Sequence, residues 1–160
     1  MAETFDFISA QDKPALLAFS TPEWLETAQA ALEELGYKNH VAATHGDFLL
    51  RFGRINYEVV LLEELFCATT IAENTTLQEL QQMLMSHRRH ATIILVGDSF
   101  QTFNPLQAFQ HSVHAVVNRS EVFLLKQLIE KATADNKQFL TNLRETQARL
   151  VSGKGRETTA

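Results

Sequence analysis

With 160 residues, 45% hydrophobic and 21% charged, and a formal net charge of -5, the chain has the make-up of one ordinary globular domain, without the basic surplus expected of a partner of duplex nucleic acid. No run of about 18 apolar residues occurs, and Met1 to Lys13 carries Glu3, Asp6 and Asp12 without an apolar core of signal-peptide length, so no membrane partner and a cytoplasmic location are expected. A single cysteine, Cys67, excludes an internal disulfide and any multi-cysteine zinc site, in keeping with a reducing compartment.

Residues 1–14, with Phe5, Phe7 and Ile8, are too few for a domain and read as an N-terminal extension that packs along an edge or stays mobile. The core is expected over 15–134. Ala15 to Ser20 makes a first strand; Ser20 or Thr21 then caps a helix that has Pro22 in its first turn, Glu23 and Glu26 at its positive end and Gly36 as its stop. Leu25, Ala28, Leu32 and Leu35 recur at helical spacing beside Trp24 and form its sheet-packing face. His40 to Thr44 is the second strand, Asp47 to Phe52 a short helix ending at Gly53, and Tyr57 to Leu62 the third strand. Leu65 to Thr76 is longer than the two to six residues usual in such connections, so it binds or covers something, or packs on itself.

A third helix is expected over Leu77 to Ser86 with Leu77, Leu80, Met83 and Leu84 inward, then a fourth strand over Ala91 to Val96 and a short helix from Pro105 to His111. The third and fourth strands are apolar without alternation, as strands covered on both faces must be. After a fifth strand, Ala115 to Val117, Ser120 caps a helix with Val122, Leu125, Leu128, Ile129 and Ala132 inward. Over 135–151 the residues Phe139, Leu140, Leu143 and Leu150 continue an apolar stripe past the length one sheet can cover, either in the same helix or in a second one capped by Asp135 or Asn136. That stripe calls for a helical pair between protomers or a linker to an output module. Residues 152–160, with Gly153 and Gly155, read as a flexible tail.

Repeated βα units imply an α/β fold with a doubly wound parallel sheet, whose functional crevice lies beyond the carboxyl ends of the strands. That places Phe19, Ser20, Thr21, Glu63, Glu64, Gly97, Asp98, Ser99, Asn118 and Arg119 around it. Over residues 15 to 133 the pattern resembles the receiver domain of bacterial response regulators, the signalling module of two-component systems. The resemblance implies a flavodoxin-like five-stranded sheet in the order 2-1-3-4-5, here with an extended C-terminal helix. It also implies an acidic pair after the first strand, a phosphoryl-accepting aspartate after the third, a Ser or Thr after the fourth and a Lys-Pro after the fifth. This chain has Phe19 and Ser20, Glu63, Gly97, and Asn118 with Arg119 at those places.

Phosphoryl transfer to a carboxylate needs a divalent cation held by several oxygens, and Glu63 with Glu64 is a poor cup for one. The resemblance therefore points to a pseudo-receiver with a degenerate acceptor site at Phe19, Ser20, Glu63, Gly97 and Asn118. Two readings of Glu63 stand: a solvated residue at a strand end, or a long side chain that holds an activated-like arrangement through Arg119 or Asn118. Gly97-Asp98-Ser99 is a weak anion cradle, since no glycine-rich phosphate loop surrounds it and Asp98 repels anions. Arg54 and Arg119 are single arginines of the kind usual on surfaces. His87 with His90, His111 with His114, and His40 fall on the opposite rim, where capping of helix ends outweighs a metal site. Cys67, Ser20 and Ser99 lack the neighbours of a nucleophile.

No catalytic constellation, cofactor or metal is therefore expected. The leading expectation is a non-catalytic pseudo-receiver that works by protein–protein contact or homodimerisation. Its surface would comprise the fourth helix, fifth strand and fifth helix, with Phe109, Arg119, Phe123 and Lys126 beside the stripe of Phe139, Leu140, Leu143 and Leu150. The alternative is a small-ligand or anion sensor using Ser20, Thr21, Glu63, Gly97, Ser99 and Asn118 under the long loop.

Overall fold

The structure, a computed structural model, describes the backbone of residues 8–157 and the side chains of residues 8–153. The apolar runs become strands β1 (Lys13–Ala18), β2 (Tyr37–Val41), β3 (Val59–Glu63), β4 (Thr92–Gly97) and β5 (Ala115–Asn118), all parallel and in the order β2-β1-β3-β4-β5. The expected doubly wound α/β sheet is thus present. Among the described residues six α-helices surround it: α1 (Pro22–Glu34), α2 (His45–Arg54), α3 (Thr75–Gln82), α4 (Met85–Arg88), α5 (Pro105–Gln110) and α6 (Leu125–Glu157).

Alternation survives inside the apolar runs as a division between two cores. Leu17, Leu61, Ile94 and Val117 face α1 and α6, where they meet Leu32, Leu125 and Ile129. Leu16, Leu62, Ile93 and Val116 face the other way, toward Phe48 and Phe52 of α2 and Leu77 and Leu80 of α3. Both faces are covered, so neither set of positions tolerates polarity. At the end of α1, Gly36 takes a φ of +83°, and its N–H donates to the Glu33 carbonyl at 3.0 Å, the left-handed stop for which glycine is suited.

Several boundaries differ from the sequence expectation. β1 starts at Lys13, two residues early, because Lys13 and Pro14 pair with Tyr37 and Lys38, while the Lys13 ammonium donates to the Leu35 carbonyl at 3.1 Å. β2 starts at Tyr37 and ends at Val41 rather than running from His40 to Thr44; as an edge strand it carries half-buried Lys38 and Asn39, which a search for apolar runs misses. Thr44 leaves the sheet to cap α2, its hydroxyl accepting from the Asp47 N–H while the Asp47 carboxylate accepts from the Ala43 N–H, both at 3.0 Å.

The expected helix over Leu77 to Ser86 breaks at Met83 and Leu84, whose ψ angles of 146° and 143° are extended. Leu84 consequently faces solvent instead of the core. After β5 the chain forms a 3₁₀ turn, Arg119–Leu124, capped by Asn118 rather than Ser120: the Asn118 Oδ1 accepts from the Ser120 N–H at 2.9 Å. α6 is continuous. Asp135 bonds Lys131 and Asn136 is buried with its amide donating to Thr92 Oγ1 at 3.0 Å, so neither starts a second helix. The helix also persists through Gly153 and Gly155 to Glu157 where a flexible tail was expected, since extending a formed helix adds a hydrogen bond for each residue ordered. Phe5, Phe7 and the final three residues of the chain lie outside the described residues.

One buried side chain ties the end of β3 to the next helix. The Asn74 amide donates to the carbonyls of Glu63 (3.1 Å) and Glu64 (3.0 Å), and its Oδ1 caps α3 by accepting from the Leu77 N–H at 3.1 Å. Asn74→Ala strips a partner from three buried backbone groups, so a loss of about 2–4 kcal/mol is expected by urea unfolding, and a loss below about 1 kcal/mol would refute this role.

Candidate functional site

At the carboxyl ends of β1, β3 and β4 the chain leaves a crevice of about 320 Å³, lined by Thr21, Glu23, Trp24, Glu63, Glu64, Leu65, Gly97, Asp98 and Arg119. The strand register decides which groups meet there. Ala18 lies opposite Leu62, so Glu63 falls one step further on, beside the backbone that turns from β1 into α1.

Glu63 is buried, and its carboxylate accepts from the N–H groups of Ser20 (3.3 Å) and Thr21 (3.1 Å). These are donors at the positive end of α1, and the Thr21 side chain makes no cap bond of its own, so the carboxylate acts as the cap from across the sheet. Glu63 is therefore neither a solvated strand-end residue nor a tether for Arg119 or Asn118. Arg119 instead pairs with Asp98 at 2.5 Å between largely exposed side chains. Asn118 turns to the loop after β4, its amide donating to the Phe100 carbonyl at 2.7 Å and its Oδ1 accepting from Ser120.

Glu64, the next residue, is also buried, and its Oε1 accepts from the Ser99 N–H at 3.3 Å. Its side chain lies across Gly97, where an added Cβ would come within 2.5 Å of the Glu64 Cβ. Gly97 therefore stands where the resemblance expects a hydroxyl because Glu64 occupies the space a side chain would need. The glycine at position 97 and the buried Glu64 are thus one steric arrangement. Sequence reasoning placed Glu64 on the crevice but missed this coupling, which depends on β3 and β4 being neighbours.

The remaining expected site residues divide. Phe19 is buried in the core on the α1 side, and Ser20 is exposed, its hydroxyl accepting from the Cys67 N–H at 2.8 Å. In the segment over 65–76, Leu65 lines the crevice, Phe66 is buried, Cys67 adopts a φ of +49°, and Ile71–Glu73 forms a 3₁₀ turn. His45 holds it to α2. Because the Thr76 N–H donates to His45 Nδ1 at 3.2 Å, the proton resides on Nε2, which donates to the Cys67 carbonyl at 3.3 Å.

The receiver resemblance implies a divalent cation, and these residues do not fit one. Phe19 and Ser20 offer no carboxylate, Glu63 and Glu64 are bonded to backbone N–H groups, and no group of three His, Cys, Asp or Glu placed to hold a metal occurs among the described residues. On the opposite rim three of the histidines have separate engagements. His114 Nδ1 accepts from the Ile93 N–H at 3.0 Å, His111 meets Phe100 edge-on, and His90 stacks on Phe52, where burial lowers its pKa.

The expected interaction residues are scattered as well. Phe109 and Phe123 are exposed, but Lys126 turns toward α1 and pairs with Glu34 at 3.4 Å, and Arg119 belongs to the crevice. Phe109 and Phe139 line one cleft at the other end of the sheet, and Leu140 lines a neighbouring one. Leu143 and Leu150 lie further along α6, half-buried and exposed respectively.

No protein-family model and no curated protein matches the chain. Solved structures do. A CheY-like response regulator receiver domain protein from Methanospirillum hungatei superposes with a TM-score of 0.62 at 17% identity, over 80% of this chain and 98% of that one. Chemotaxis response regulator CheY4 of Vibrio cholerae gives 0.59 at 11% identity over 76% and 99%. The beryllofluoride-activated NtrC4 receiver domain, a dimer in solution, gives 0.57 at 16% identity over 78% and 98%. The chain has the receiver-domain fold.

The steric account of Gly97 is open to a double-mutant cycle. Gly97→Ser is expected to destabilise by about 1–3 kcal/mol, and Glu64→Ala in the same chain to recover at least about 1 kcal/mol of that loss. Additive effects in chemical denaturation would show that the two sites are independent.

Proposed function

We propose that this receiver-fold chain is a non-catalytic pseudo-receiver, a cytoplasmic signalling module of bacterial two-component type that acts through protein–protein contact independently of phosphorylation. The observation that carries the reading is the engagement of both carboxylates after β3: Glu63 caps α1, and Glu64 holds Ser99 and covers Gly97. A group already bonded to two backbone donors is a poor nucleophile, and without a cation or a hydroxyl at position 97 nothing would stabilise or sense a transferred phosphoryl group.

The output surface in this reading is α6, with a second copy of the chain as partner. Beyond Asn136 the described residues of the helix are half-buried or exposed, and they include Phe139, Leu140, Leu143, Leu150 and Val151. Phe139, Leu143 and Leu150 are four and seven residues apart, the spacing of a seam between paired helices. Bulky apolar groups on the free part of a helix are stabilised when a like face covers them. That the NtrC4 receiver is a dimer gives a precedent on the same fold. An anion sensor at the crevice has less support, since Glu23, Glu63, Glu64 and Asp98 line it against the single guanidinium of Arg119.

Light scattering on the full chain tests this reading. A dimer is expected whose mass is the same with and without magnesium and beryllofluoride, and Leu143→Glu with Leu150→Glu is expected to weaken it at least tenfold. A change of mass on adding magnesium with beryllofluoride, or a phosphoryl adduct after treatment with acetyl phosphate, would overturn phosphorylation independence; a monomeric full chain would overturn self-association.

A further inference from the structure

The amino-terminal end of the sheet, remote from the crevice, carries a larger cavity. Between α4, the end of α5, the starts of β4 and β5, and α6 lies a cleft of about 810 Å³, whose apolar lining includes Ile93, Phe103, Phe109, Val113 and Phe139. Its size falls within the roughly 300–1,000 Å³ of clefts that hold small organic ligands. Phe109 and Phe139 are exposed there, leaving two aromatic rings in water beside it.

Most polar groups of the cleft already have partners. His114 accepts from the Ile93 N–H, the Asn136 amide donates to Thr92, and Asp135 pairs with Lys131 at 3.1 Å. Burial, and then the nearby Arg88 charge, lower the pKa of His114 and so favour its neutral form. Arg88 is different. Its residue is only 9% exposed; one terminal nitrogen donates to the Ser112 carbonyl at 2.9 Å and the other meets only the weak acceptor Met85 Sδ at 3.3 Å. Its Nε is buried without a hydrogen-bond partner, and among the described residues no carboxylate lies within ion-pair distance of the guanidinium. A buried cation without a counter-ion is costly, and Nε with the neighbouring Nη2 is a fork that a carboxylate grips with two parallel bonds.

We propose that this cleft binds an amphipathic anion, a hydrocarbon chain ending in a carboxylate, with the chain among Ile93, Phe103, Val113 and Phe139 and the carboxylate on Arg88. Such a ligand supplies the missing counter-ion and covers the exposed rings at once. Ala132 and Phe139 line the cleft from α6, so occupancy would brace that helix where it leaves the sheet. The cleft shares no residue with the crevice, but it shares Phe139 with the proposed α6 seam.

Titration calorimetry on the full chain with decanoate, below its micelle concentration, and with decanol, the same chain without the charge, is the test. Saturable binding of one decanoate per chain is expected, at least tenfold tighter than decanol. Arg88→Gln is expected to abolish that preference, and Val113→Trp, which fills the cleft and keeps Arg88, to abolish binding of both. Equal affinity for decanol and decanoate, absence of saturable decanoate binding, or unchanged binding in a folded Val113→Trp chain would overturn the proposal, as would loss of binding in the dimer, which would make the cleft an interface between copies.

Discussion

The crevice is organised by a buried carboxylate at the end of a central strand that caps a helix belonging to a neighbouring strand. Glu63 sits on β3, yet the donors it accepts from, the N–H groups of Ser20 and Thr21, open α1 after β1. The bond links two βα units across the sheet and places negative charge at a positive helix end. With Glu63 so engaged, Glu64 follows into the space over Gly97, and Asn74 holds the carbonyls of both from behind. Glu63, Glu64 and Asn118 are each hydrogen-bonded to neighbouring groups of the chain.

The far end of the molecule has a different character. α6 is 33 residues long, roughly 50 Å at 1.5 Å per residue, and Asn136 is the last of its described residues to be buried. Past that point the helix carries apolar side chains that the fold does not cover. The cleft around Arg88 lies where α6 departs from the sheet, so the exposed helix and the unpaired buried cation are adjacent features of one end of the molecule.

The architecture was largely legible in the sequence because apolar runs such as Val59 to Leu62 and Ile93 to Val96 have no polar position to expose, and glycine and proline mark the turns between them. Edge and cap positions were harder to read. β2 begins with Tyr37, Lys38 and Asn39, which look like a loop because an edge strand needs only one well-covered face. The break at Met83 and Leu84 carries no proline or glycine, and the 3₁₀ turn capped by Asn118 rather than Ser120 has two eligible caps within three residues. In each case the local signals were balanced, and packing selected one outcome.

For the site, the sequence by itself determined what was missing: Phe19 and Ser20 in place of carboxylates, Gly97 in place of a hydroxyl, Asn118 and Arg119 in place of Lys-Pro. Residue type alone settles whether a side chain can ligate a cation or donate a hydrogen bond. Only the tertiary structure decided what the remaining groups do instead. Glu63 meets Ser20 and Thr21 across more than forty residues of chain, Glu64 meets Gly97 across more than thirty, and the Arg88 Nε, in the cleft between α4, α5 and α6, is buried with no hydrogen-bond partner among the described residues. Such pairings depend on strand order and register, set by the packing of the whole sheet, and no local stretch of sequence carries that information.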